Sequence, residues 1–359
     1  MNKLLKNLIA AFITLRILVV FLALLAVLIL IALIVLPQAI PVLGIVFVLA
    51  ALASGITFLT LKRLWGIVEV RGGLKETWTS SDGVRVKNIR YGKARVNSFD
   101  LYLPAVADLA KSQHVMLFIH GGAWASGKKA DMAYAAARYA KEGYITATMG
   151  YTLASKRKPH VTFAWMIDEI TACIAKIKVE LDGRGYQVKK IALSGTSAGA
   201  HLSMLYAYAH ADKSPIPVAF VFQQVGPVAF YPEFWLDMKH TLAFATIGTG
   251  TKINPEMIAS GKADSLLRSI SPLYHITPKS VPTLFAYGGK DTTVIPLHGA
   301  KLKEALEQNH VPHLFIDYPN STHVLAEDPD IPLKYHQAVK QFAREYFHSP
   351  ADHQPVSPH

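Results

Sequence analysis

The sequence predicts an α/β fold: a doubly wound, mostly parallel sheet with helices on both faces, preceded by an N-terminal two-helix transmembrane hairpin. Three observations predict it. From residue 84 to 347, short apolar runs of strand length alternate with longer segments of helical period. Several strand runs, HVMLFIH (114–120) among them, are nearly continuous in apolar residues, as in sheets covered on both faces. Two uncharged apolar segments, 17–36 and 41–61, come before all of this.

The first of these segments, ILVVFLALLAVLILIALIVL, is long enough to cross about 30 Å of hydrocarbon as a helix. The second is also uncharged, and neither has the polar face of a core helix. Ala51-Leu52-Ala53 resembles a signal-peptide cleavage site, but the apolar stretch before it is far longer than an h-region. Residues 1–63 therefore read as a membrane anchor. Lys3, Lys6 and Arg16 precede it, Lys62 and Arg63 follow it, and the link PQAIP carries no charge. Positive-inside reasoning places both ends on the cytoplasmic side of the cytoplasmic membrane. A single span instead would put the large domain on the periplasmic or outer face.

Residues 64–83 read as a connector. VRVKNIRYG and SFDLYLP then read as a strand hairpin, HVMLFIH as a strand, 129–142 as a helix and YITATMGY as a strand. A helix over 159–179, the strand KKIALSG and a helix over 198–210 follow. The second half continues with PVAFVFQQVG, an irregular insert at about 228–271, the strand TLFAYGG, a helix over 295–309, the strand HLFIDYP and an amphipathic helix over 333–347. The tail 348–359 has no apolar periodicity and reads as disordered.

The single cysteine, Cys173, excludes an intramolecular disulfide and any cysteine-based zinc cluster. The net charge of +12 invites a nucleic-acid reading, but the basic residues are scattered, and only Lys156-Arg157-Lys158 is dense. Attraction of a tethered domain to anionic headgroups is the simpler reading, with no nucleic-acid partner.

The chemistry concentrates in four places. IALSGTSAGAH holds Ser197 in the spacing Gly-x-Ser-x-Gly, after an apolar strand and before a helix. In that context the two glycines permit a turn sharp enough to present the hydroxyl at the strand's C-terminal edge. A serine nucleophile needs a base, and the base an orienting group. Of 15 histidines, His323 stands in a loop of small polar residues just past a strand; His201, His275, His298, His310 and His313 read as structural or solvated. Asp291 follows the strand TLFAYGG, giving the chain order Ser, Asp, His, with Asp264 and Asp317 as competing acids. The run His120-Gly121-Gly122-Ala123-Trp124 ends another strand. Its glycines let backbone N–H groups approach a ligand oxygen and, with the N–H of Ala198, form an oxyanion hole.

HGGAW, GTSAGAHLS (195–203), GGKDTTVIP (288–296) and the loop histidine together resemble the α/β-hydrolase fold, and within it the hormone-sensitive-lipase-like carboxylesterases. NSFDLYLP with HGGAW and SAGAH is similar to the branch of small bacterial esterases, arylformamidases and prenylcysteine methylesterases. The resemblance covers about 84–347. It implies Ser197 as nucleophile, His323 as general base and then acid, Asp291 as orienter, Gly121, Gly122 and Ala198 as oxyanion donors, and His120 as loop support. It calls for no metal or organic cofactor. Relatives carry a Tyr-Arg-Leu-Ala-Pro-like run where this chain has Tyr151-Thr-Leu-Ala-Ser155, so the arginine bracing that loop is absent. The insert at 228–271 would form a cap. About half its aromatics are expected to pack on the body; the others, Phe230 and Trp235, with Trp124 would line an apolar acyl pocket.

The resulting expectation is a membrane-anchored serine hydrolase acting on small-molecule or lipid esters through an acyl-enzyme. An arylformamidase-type amide hydrolase uses the same triad, and a catalytically silent binding protein is the rival of another class. Oligomeric state is left open.

Overall fold

The structure, a computed structural model, describes residues 78–105, 114–155 and 157–347, together with Ala23, Leu24 and Val27. The chain divides into two compact units, Met1–Gly73 and Leu74–His359. Apart from those three residues, the expected hairpin lies outside the described residues, as do residues 64–77 of the connector and the whole tail. Among the described residues no helix is long and apolar enough to cross a membrane.

Eight strands form one sheet: β1 (Gly83–Arg90), β2 (Ser98–Pro104), β3 (His114–Ile119), β4 (Ile145–Met149), β5 (Lys190–Thr196), β6 (Val218–Gln224), β7 (Thr283–Gly288) and β8 (His313–Tyr318). Their spatial order is β1-β2-β4-β3-β5-β6-β7-β8. The β1–β2 and β2–β4 pairs are antiparallel, and every other pair is parallel. The helices are α1 (Ala133–Lys141), α2 (Phe163–Asp182), α3 (Ala198–Ala209), α4 (Met238–Thr249), α5 (Pro255–Ala259), α6 (Asp264–Ser269), α7 (Leu297–Gln308) and α8 (Ile331–Phe347).

Strand alternation divides the core in two, because successive side chains point to opposite faces. Val115, Leu117 and Ile119 of β3, with Ile191 and Leu193 of β5, share one core with Ile170 of α2, Leu202 of α3 and Leu302 of α7. Met116 and Phe118 of β3, with Phe220 and Phe222 of β6, share the other with Ala136 of α1 and Phe342 of α8. All six residues of β3 are buried, which is why that run reads as continuously apolar. The insert folds as a short 3-10 turn (Pro232–Phe234) followed by α4, α5 and α6. Phe230, Phe234, Trp235, Leu267 and Ile270 join the first core. Its longest helix is framed by local chemistry: the Asp237 carboxylate accepts from His240 N at 2.8 Å, and Gly250 closes α4 at φ 71°.

This order fixes where a ligand can sit. The crossover from β3 to β4 leaves to one side and that from β5 to β6 to the other, although β3 and β5 are neighbours. A crevice opens at such a reversal, outside the carboxyl ends of the strands.

Candidate active site

Ser197 stands immediately after β5, with φ 53° and ψ −121°, a left-handed backbone that costs a non-glycine residue on the order of 1–3 kcal/mol. The surroundings enforce it. A Cβ at Gly195 would lie 2.4 Å from the Gly199 carbonyl carbon, and one at Gly199 would lie 2.0 Å from Ile119 O on β3. The glycines thus let strand, turn and helix touch through bare backbone. Ser197 N–H donates to Gln224 O at 3.0 Å, and Ser197 O accepts from His201 N at 3.0 Å as α3 begins. Ala198 opens α3, so its N–H has no intrahelical acceptor and sits at the positive end of the helix dipole.

The HGGAW loop lies against this turn: a Cβ at Gly121 would be 2.9 Å from Thr196 O and 3.3 Å from Ser197 Cβ. Gly122, Ala123 and Trp124 follow at φ 113°, 49° and 59°, a run of left-handed residues of which only the first is glycine. The run persists because it is tied down. Gly122 O accepts from Ala125 N, Ser126 N and Ser126 Oγ at 3.1, 2.9 and 2.9 Å, and Trp124 O accepts from Ala154 N at 2.9 Å. His120 is buried, stacks on Tyr151 with centroids 4.3 Å apart, and takes the Tyr151 hydroxyl on its carbonyl at 3.0 Å. Its Nδ1 is 2.8 Å from Gly121 O; a carbonyl only accepts, so Nδ1 carries the proton. Burial holds the His120 pKa below its ordinary value, so the ring is a neutral brace.

Asp291 follows β7 in a buried turn. Its Oδ1 accepts from Thr293 N at 2.7 Å and Val294 N at 3.0 Å. Oδ2 is left for His323, whose Nδ1–H donates to it at 2.7 Å. That bond leaves Nε2 as the ring nitrogen able to take a proton. Of the three candidate acids only Asp291 meets His323 among the described residues. Asp264 pairs instead with Arg268 at 2.8 Å and with the Tyr231 hydroxyl, and Asp317 is an exposed residue of β8. No hydrogen bond joins the Ser197 hydroxyl to His323 among the described residues; such contacts are often long in ligand-free enzymes and tighten with substrate.

Two carboxylates that the sequence reading did not single out brace the histidine loop. Asp328 accepts from Asn320 N, Asn320 Nδ2 and Ser321 Oγ at 3.0, 3.0 and 2.7 Å. Burial works against its ionised form, but these donors outweigh it and hold the carboxyl below the usual range. Glu327 accepts from Thr322 N and Thr322 Oγ1 at 3.1 and 3.0 Å. The only signal was a pair of acids four and five residues past His323. The loop lacking its arginine is braced differently. Thr152 N and Oγ1 donate to Glu169 of α2 at 2.6 and 2.5 Å, and Asn97 Nδ2 joins the same carboxylate at 2.9 Å.

The expected acyl-pocket aromatics behave otherwise than the sequence suggests. Trp124, Phe230 and Trp235 are 2%, 0% and 7% exposed and form one closed cluster with Phe163, His201 and Phe244. In the ligand-free fold they are core, because large rings facing one another bury more area together than any would against an open cleft. Among the described residues no group of three or more His, Cys, Asp or Glu could hold a metal ion.

Sheet order, strained serine turn and aspartate–histidine pair define the α/β-hydrolase fold. The family model for BD-FAE matches residues 99–306, more than half of the chain, and the chain belongs to that family. Among relatives, the esterase LipC of Mycobacterium tuberculosis is 26% identical over 195 residues, covering 53% of this chain and 47% of its own length. A probable isoprenylcysteine alpha-carbonyl methylesterase of Oryza sativa subsp. japonica is 32% identical over 118 residues, covering 33% of this chain and 27% of its own. The chain thus spans about half or less of the length of these relatives. Among solved structures, a truncated carbohydrate esterase from gut microbiota superposes with a TM-score of 0.62 at 16% identity, over 75% of this chain and 99% of that one. At that identity the likeness concerns the fold.

Proposed function

We propose that the chain is a carboxylic ester hydrolase that works through an acyl-enzyme on Ser197. The observation that carries this is the Asp291–His323 pair at 2.7 Å, standing at the same sheet edge as a strained serine packed against Gly121. His323 Nε2 takes the Ser197 proton as Oγ attacks the ester carbonyl. The developing oxyanion is met by the N–H groups of Ala198, Gly121 and Gly122, whose loop is already fixed and pays no reorganisation at the moment of reaction. Protonated His323 then gives its proton to the leaving alcohol. Water, activated by the same ring, releases the acid and restores Ser197. Asp291 accepts from His323 Nδ1 throughout and holds the ring in its working tautomer. Relatives named esterase and methylesterase support ester substrates, and a relative named kynurenine formamidase supports amide hydrolysis on the same triad as the second reading.

The apolar segments 17–36 and 41–61 support a second part of the proposal: a membrane hairpin that holds the enzyme on the cytoplasmic face, within reach of small-molecule or lipid esters. Accessibility of a cysteine introduced near residue 70, read in intact cells, tests the sidedness; labelling by an impermeant reagent reverses it. Turnover of p-nitrophenyl esters of graded acyl length tests the chemistry. Hydrolysis by the wild type that falls to background in Ser197→Ala is expected, and equal rates in the two exclude the mechanism.

A further inference from the structure

His201 is the fourth residue after Ser197, one turn into α3, and is fully buried. Both its ring nitrogens are engaged. Trp124 Nε1–H donates to His201 Nδ1 at 3.2 Å, and His201 Nε2 lies 2.8 Å from Ile270 O, just past α6. An indole nitrogen only donates and a carbonyl only accepts, so the ring must be neutral with its proton on Nε2. Burial pushes its pKa down to about 3, consistent with that state.

A histidine is an expensive choice here. Trp124, Phe163 and Phe230 surround it at centroid distances of 5.3, 4.7 and 5.1 Å, an environment that a phenylalanine would fill without burying two polar nitrogens. What the imidazole adds is connection. Trp124 is the last residue of the strained HGGAW loop, Gly121 of that loop touches the Ser197 turn, and His201 rises from the helix that Ser197 begins. The Trp124–His201 bond therefore closes a ring of contacts: β3, oxyanion loop, α3 and back to Ser197. The Ile270 bond ties the same ring to the insert.

We propose that His201 is a positioning residue of the oxyanion hole: it takes Trp124 Nε1–H and gives its own proton to Ile270 O, setting the Gly121–Gly122 backbone against Ser197. The inference rests on the hydrolase reading above. Its effect falls on transition-state stabilisation rather than on ground-state binding. A misplacement of about 1 Å at such a site costs on the order of 10²-fold in rate.

The test compares wild type, His201→Phe, His201→Gln and Trp124→Phe on p-nitrophenyl acetate, well below each variant's melting temperature. Gln can accept with one end and donate with the other, as the imidazole does. His201→Phe is expected to lower kcat at least about tenfold with KM within about threefold. His201→Gln is expected to recover most of that loss. Trp124→Phe is expected to lower kcat in the same direction, and the double variant to be no worse than His201→Phe, because the Trp124–His201 bond is lost in all three while the Ile270 bond is lost only where His201 is replaced. A lowered melting temperature with kcat within about twofold of wild type in His201→Phe overturns the proposal, as do losses that multiply in the double variant. If His201→Phe does not fold, the Gln and Trp124 variants decide by the same criteria. A wild type with no turnover refutes the hydrolase reading instead. Crystal structures of the variants then decide on position: a displaced Gly121–Ala123 backbone in Trp124→Phe but not in His201→Gln supports the proposal, and an unmoved backbone in both overturns it.

Discussion

Asp291→Asn is nearly isosteric, yet the structure fixes which way the new amide must face. Thr293 N–H and Val294 N–H point at Oδ1. An asparagine keeps them satisfied only by turning its oxygen to them and its amide to His323. The flipped rotamer strands two N–H donors against an NH2, at about 1–3 kcal/mol each. In the favoured orientation the amide donates to His323 Nδ1, which must then be unprotonated, so the proton moves to Nε2. A ring protonated there has no lone pair for the Ser197 proton. Such a wrong tautomer costs about 10⁴ in kcat in serine-hydrolase triads, or about 5.4 kcal/mol of transition-state free energy. Steady-state kinetics on p-nitrophenyl acetate, with a thermal melt as the control for folding, should show that loss with the melting temperature nearly unchanged. A kcat within tenfold of wild type would refute the assignment of Asp291 as the residue that orients His323.

Further expectations follow from other parts of the structure. Gly199→Ala sets a Cβ 2.0 Å from Ile119 O, a clash between backbones that no rotamer relieves, and should destabilise by more than about 3 kcal/mol; chemical denaturation measures it. Asp328→Ala leaves Ser321 Oγ and both Asn320 donors without their acceptor, so the His323 loop should loosen and kcat fall about tenfold. The low-field Nδ1 proton of His323 should broaden in the NMR spectrum alongside that loss. His201 and His298 are both buried with pKa values pushed down to about 3, below the ordinary value near 6.5 that the unfolded chain regains. Between those values the unfolded state binds more protons, so their stabilisation is complete above about pH 6.5 and fades as pH falls toward 3. The slope approaches about 1.4 kcal/mol per pH unit for each. Melts from pH 7 to 5 should lose stability less steeply in His201→Gln than in wild type; parallel curves would place the acid sensitivity elsewhere.

Much of this site is legible in the sequence because local constraints carry it. Gly195 and Gly199 are needed wherever a strand turns into a helix beside a third backbone, so the pattern around Ser197 marks the turn itself. Asp291 is readable because it follows an apolar strand, and His323 because its loop is small and polar. Strand and helix positions follow from apolar periodicity, which both cores require. What is not legible depends on side chains brought together from distant stretches. Trp124, Phe230 and Trp235 read as a pocket because aromatics of a loop and an insert look available; only the fold shows Trp124 and Phe230 packed on His201, with Trp235 stacked on Phe230. His201 itself reads as one structural histidine among several, since neither Trp124 nor Ile270 is near it in the chain. Glu169 substitutes for a missing arginine through Thr152 and Asn97, a solution that no local pattern announces.

The decisive measurement is mass-spectrometric mapping of a fluorophosphonate adduct on the folded protein. One adduct per chain is expected, on the peptide that contains Ser197, formed slowly in Asp291→Asn and absent in Ser197→Ala. Folded protein that takes no adduct, or an adduct that survives Ser197→Ala, would contradict the assignment of Ser197 as the nucleophile.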